Sequence, residues 1–113
     1  MSHRIIQVSE LIKKELGYLM ITNIEYPKNT ICTITDVTIS KDLRHAKVWL
    51  SVLPTQYSQK ILAILNKKAG ILQSLLNKKL SLKPLPRIRF VVDEGQSEAF
   101  DMERLLDRIK KEV

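Results

Sequence analysis

Cys32, His3, His45 and the carboxylates Asp36, Asp42, Asp93 and Glu94 are the side chains with which this chain could do covalent, acid–base or metal chemistry. A catalytic site needs a nucleophile, a base and an electrostatic stabiliser that converge. The pattern does not gather them. Cys32 stands alone in a run rich in Ile and Thr, where a single cysteine is more often a small hydrophobe than a nucleophile. His45 lies between Arg44 and Ala46 in a polar turn, which suits a surface role or a phosphate contact. The carboxylates lack the spacing of a metal cage, and Asp42 is placed to accept from backbone amides of its own turn. One cysteine leaves no internal disulfide, and two histidines leave no structural zinc set. Gly17, Gly70 and Gly95 are too dispersed to cradle phosphate as a glycine-rich loop. No catalytic residue, metal or cofactor is assigned.

Binding chemistry is better represented. The net charge of +7 comes from 19 Lys and Arg against 12 Asp and Glu, and it is unevenly spread. From Leu43 to Val92 there is no acidic residue, but there are ten basic ones: Arg44, Lys47, Lys60, Lys67, Lys68, Lys78, Lys79, Lys83, Arg87 and Arg89. A surface built only for solubility mixes signs to avoid self-repulsion. Fifty residues without a carboxylate accept that repulsion, so a polyanion is expected to relieve it. Nucleic acid fits, because neutralising phosphates releases counterions and gives sequence-independent affinity. An acidic protein or a membrane surface is the alternative. Aromatic residues make up only 5%, which favours recognition of RNA shape and phosphate over stacking of single-stranded bases; Trp49 is accordingly read as packing first. The reading requires the cations to face one way.

The elements that must position them emerge from the hydrophobic pattern. With 113 residues, 44% hydrophobic and 27% charged, the chain has the length and composition of one globular domain. Its longest apolar run, Ile61 to Leu65, is far too short to span a bilayer. The N-terminus has no apolar signal region, so cytoplasmic residence is expected. Val8, Leu11, Ile12, Leu16 and Leu19 keep helical spacing, which predicts a helix over about 5–20. Thr30 to Ile39 reads as a strand, with a bulge or two-sided burial because its alternation is imperfect. Ala46 to Val52 alternates cleanly as a second strand, ended by Pro54, with Thr55 or Ser58 available to cap the next helix. Ile61 to Leu80 keeps helical spacing with Gly70 in the middle, which predicts two helices meeting at a kink. Pro84 and Pro86 stop the second of these, and Ile88, Phe90 and Val92 alternate as a third strand. Met102, Leu105, Leu106 and Ile109 suggest a last helix or a loose extension.

The order strand, helix, helix, strand, with a small-residue break between the helices, is similar to the core of a KH-type RNA-binding module of the second topology. The residues Val37-Thr-Ile-Ser-Lys-Asp-Leu-Arg-His-Ala-Lys-Val-Trp-Leu-Ser51 resemble a more particular family, ribosome-binding factor A, with Ser40, Asp42, Leu43, Ala46 and Val48 as the matching positions. Pro86 to Asp93 resembles that family's last strand, and Asp101 to Leu106 its closing helix. The family's Ala-x-Gly kink aligns with Lys68-Ala69-Gly70, so a lysine replaces the first alanine. Gln73 stands where members usually carry arginine, and Tyr26-Pro27-Lys28 where they carry Asp-Pro-Arg.

The expected fold is therefore α+β and KH type II-like, in the order α-β-β-α-α-β. Helices cover one face of a three-stranded mixed sheet, with a kink at Ala69 and Gly70 and a C-terminal helix. An RNA-binding domain is expected over 1–95 and a helical or flexible extension over 96–113. Arg44, Lys47, Lys67, Lys68, Lys78, Lys79, Lys83, Arg87 and Arg89 are the candidate RNA contacts. Lys67 and Lys68 would stand beside free amides at the start of the second central helix. The resemblance implies a non-enzymatic assembly factor acting as a monomer on the small ribosomal subunit and its rRNA, away from membranes. It further implies late maturation, including processing of the rRNA 5′ end, cold adaptation, and release by an assembly GTPase. A general KH-type RNA-binding module not dedicated to the ribosome is the alternative.

Overall fold

Residues 3–81 and 85–93 are described by the computed structural model, so the expected C-terminal helix, the 96–113 extension and Lys83 lie outside the described residues. The element α1, His3–Asn23, turns the stripe Val8, Ile12, Leu16, Leu19 and Met20 inward. It runs three residues past the predicted end, where polar side chains bond back to carbonyls one turn earlier. Thr22 Oγ1 donates to the carbonyl of Tyr18 at 3.1 Å, and Asn23 Nδ2 to that of Leu19 at 3.0 Å.

Two strands come next, β1 (Ile31–Ile39) and β2 (His45–Leu53), paired antiparallel. The expected bulge is present. The register shifts between Ile34 and Asp36, leaving Thr35 as the extra residue, with its Oγ1 donating to the carbonyl of Trp49 at 3.3 Å. One inserted residue changes the phase, so Cys32 and Ile34 before the bulge and Val37 and Ile39 after it oppose inward residues of β2. Ile31 is thereby turned outward and is 63% exposed.

A cis Leu53–Pro54 bond and a short 3₁₀ turn, Thr55–Tyr57, lead into α2, Ser58–Lys79. Neither Thr55 nor Ser58 caps it: Tyr57 occupies the N-cap position, and no side chain bonds there. The two expected central helices are one. Gly70 has no positive φ and sits inside a continuous run of helix-forming Lys, Ala, Ile, Leu and Gln, so its backbone freedom is not used. This single helix is the crossover that a parallel connection requires. After it β3, Arg87–Val92, pairs parallel with β2, giving a mixed sheet in the order β1-β2-β3.

Packing is two-layered. Here α1 lies over β1 and α2 over β3, and Ile12, Leu16, Val48, Leu50, Val52, Ile61, Leu65, Leu72 and Leu76 are wholly buried between the layers. The opposite face of the sheet carries no helix among the described residues.

Candidate nucleic-acid interface

Alternation along β2 and β3 sends Ala46, Val48, Ile88 and Phe90 into the core and leaves His45, Lys47, Arg87 and Arg89 exposed on the open face. Register then pairs them: His45 stands opposite Arg87, and Lys47 opposite Arg89. Like charges directly opposite on neighbouring strands destabilise a sheet, so Lys47 facing Arg89 is a cost that a bound anion would offset. With Ala46 and Ile88 these four residues line a concavity of about 330 Å³.

The turn before β2 fixes the groove's mouth. Asp42 Oδ1 accepts from Ser40 Oγ at 2.5 Å and from the Arg44 backbone N–H at 3.1 Å, and His45 N donates to Ser40 Oγ at 3.1 Å. Leu43 takes a left-handed φ of 61° to close it. The Ser40 bond, with the Arg44 amide second, holds the Asp42 carboxyl below the usual aspartate value. The expected role of Asp42 is the one observed. Exposed Arg44 is tied to β3 through its carbonyl, which accepts from Arg87 N at 2.9 Å.

Beside the groove, Trp49 donates from Nε1 to Thr38 Oγ1 at 3.2 Å, and the Lys47 ammonium lies 5.5 Å from its ring centroid. Its half-buried ring packs on the open face and stiffens the strand pair. Asp36 stands opposite it, so the β1 side of this face is not purely cationic.

The lysines of α2 belong to the other layer. Lys67 and Lys78 are exposed on the side turned away from the sheet. Lys68 and Lys79, eleven residues apart, fall within about 20° of one line on the flank that meets α1. Lys79 is engaged there, 3.2 Å from Glu15 Oε2 and 4.5 Å from the centroid of Tyr18. The expected amides beside Lys67 and Lys68 are not free, because α2 has no terminus at Gly70 and its interior N–H groups are spent within the helix. Hence the candidate contacts divide between two faces, and the single cationic surface expected from the sequence is not formed.

Two features escaped the sequence. Lys60 is exposed on the outward line of α2 with Lys67 and Lys78, a relation visible only if the helix is continuous. Gln73, read merely as a missing arginine, closes the free edge of β3: its Oε1 accepts from Ile88 N at 2.8 Å, and its Nε2 donates to the Pro86 carbonyl at 3.3 Å and to Asn77 Oδ1 at 3.0 Å. Cys32 faces a separate groove of about 500 Å³ between α1 and β1, and burial pushes its thiol up to about 11, far from a reactive thiolate.

Fold and site together define an α+β module whose carboxylate-poor middle presents cations in register on a sheet face that no described helix covers. The family model for ribosome-binding factor A matches residues 4–106, and the chain belongs to that family. A ribosome-binding factor A from Thermodesulfovibrio yellowstonii is 40% identical over 101 residues, covering 89% of this chain and 86% of the relative. A Thermotoga maritima protein solved in solution superimposes with a TM-score of 0.66 at 30% identity, over 80% of this chain and 88% of that one. A Thermus thermophilus ribosome-binding factor A model, fitted into the cryo-EM map of its 30S complex, superimposes with a TM-score of 0.65 at 20% identity, over 86% and 99% of the two chains.

Proposed function

We propose that this chain is a non-enzymatic assembly factor that binds the small ribosomal subunit through its rRNA and assists late maturation, including processing of the 5′ end of the precursor. The observation that carries the reading is the register of β2 against β3, which sets Lys47 and Arg89 side by side with Arg87 next to them, on a chain of this family. Three cations around a concavity suit a phosphate backbone. The reported 30S complex of the Thermus relative supports the small subunit as the target. The factor would act in the cytoplasm as a monomer, and an assembly GTPase would drive its release.

Sedimentation tests this. The chain is expected to travel with free small subunits at low salt, not with whole ribosomes, and to leave them as salt is raised. Equal retention on any RNA would favour the general RNA-binding alternative. Reversing charge at Lys47, Arg87 and Arg89 is expected to weaken co-migration roughly tenfold or more while the chain stays folded. Undiminished association would remove the groove from the reading.

A further inference from the structure

Lys60, Lys67 and Lys78 are exposed and lie on a different face from the sheet groove. Separations of seven and eighteen residues from Lys60 return to within about 20° of one line along a helix, at rises of roughly 10 and 27 Å. That line runs about 130–150° round α2 from the direction of the buried Ile61, Leu65, Leu72 and Leu76, so these lysines point away from the sheet. No acidic residue occurs in α2, so none of the three can form an intrahelical ion pair of the kind that usually stabilises a solvated helix. Gly70 lies on the same outward side, where an added Cβ would meet nothing within 4 Å, and exposed Ser74 continues it. A phosphodiester backbone can therefore approach the helix closely between Lys67 and Lys78.

An acidic protein is the weaker occupant for this face. Protein interfaces gain most of their affinity from buried aromatic or aliphatic anchors, and Ile71, 53% exposed, is the one large hydrophobic among the exposed residues of α2. The groove on the sheet and the line on α2 are separated by the full thickness of a helix and a sheet. A straight duplex lies along one side of such a slab and cannot touch both.

We propose that the chain bridges two RNA segments, one seated on Lys47, Arg87 and Arg89 of the open sheet face, the other lying along Lys60, Lys67 and Lys78 of α2. This rests on the RNA-binding reading above and deepens it, since holding two segments at once fixes their relative position. Two such segments of one RNA would be joined at high effective concentration, so weak contacts on each face suffice.

The test uses the full chain and two variants, K47E/R87E/R89E and K60E/K67E/K78E, with the glutamine versions of each as a second pair in case reversal disturbs folding. A short RNA hairpin is immobilised, loaded with protein, washed, and offered a second, fluorescent hairpin. The unmodified chain is expected to capture it in proportion to the protein loaded. Each variant should still bind the first hairpin but capture the second roughly tenfold less or worse. No capture by the unmodified chain, with binding of the first hairpin intact, overturns the bridge and leaves the proposed function standing. Either variant capturing as well as the unmodified chain overturns it too. Capture that rises with the square of the loading would assign bridging to paired copies, which also overturns the proposal. If neither hairpins nor small subunits are bound, the function reading fails along with it.

Discussion

Gln73 serves the free edge of β3 as a neighbouring strand would, offering an acceptor to Ile88 N and a donor to the Pro86 carbonyl. A buried or half-buried amide left without its partner costs about 1–3 kcal/mol. Gln73→Ala is therefore expected to lower the unfolding free energy by about that amount in urea titrations. Gln73→Glu keeps the acceptor and loses the donor, so it should lose less, whereas Gln73→Arg keeps a donor and loses the acceptor for Ile88. Similar losses for Glu and Arg would show that the Ile88 bond is not the important one. At Cys32 the raised thiol, at about 11, leaves roughly one molecule in a thousand as thiolate at pH 8. Alkylation at that pH should be far slower than in the urea-unfolded chain; equal rates would contradict its half-buried placement. Asp42 works in the opposite sense. Its folded value lies below the ordinary 3.8, so its contribution to the turn is complete above that pH and is lost as pH falls through the folded value. Asp42→Asn should remove this acid-side dependence of the melting temperature. Sequence types placed Asp42 in its turn correctly, because its partners are local. Gln73 could not be placed that way, because Ile88 is fifteen residues distant.

At the scale of elements, the strands were legible where alternation is strict, as in β2 and β3, and even the β1 bulge was foreshadowed by Ile34 falling out of phase. Periodicity also found α2. The break it predicted at Gly70 is not there, because a glycine is permitted both in a bend and in a helix and does not by itself choose between them. The decision came from the flanks, which are strong helix formers on both sides, and from a core stripe, Ile61, Leu65, Leu72 and Leu76, that keeps one phase across the glycine. Gly70→Ala should therefore stabilise the chain by about 0.5–1 kcal/mol, since helix propensity improves and nothing obstructs the new methyl group. A loss of stability in thermal or urea melts would restore the kink. If stability rises while RNA affinity falls, the bare backbone at Gly70 is where RNA approaches. Lys79 is the opposite case among the helix lysines. Its ion pair with Glu15 and its place over Tyr18 tie α2 to α1, so Lys79→Ala should be felt in the melt more than in RNA binding.

For the whole molecule, the sequence revealed how much charge there is but not which way it points. A carboxylate-free stretch that contributes one turn, two strands and one helix must place its cations on both sides of the sheet, because the strands turn outward the residues that the helix does not cover. Sorting by layer gives three on the open sheet face (Lys47, Arg87, Arg89), with exposed Arg44 in the turn beside them, and three on the outward line of α2 (Lys60, Lys67, Lys78). The salt dependence of association counts how many are engaged, since each phosphate neutralised contributes roughly 0.7–0.9 to the slope of log K against log salt. Occupation of both faces predicts a slope of about −5 to −6 for the small subunit, and of one face only about −2 to −4. Reversal of either set should then bring the steeper slope down to the shallower range, and reversal of both should leave almost no salt dependence. A shallow slope in the unmodified chain that only one of the two sets can abolish would mean that RNA uses a single face. The other set would then serve only to keep the protein charged and soluble.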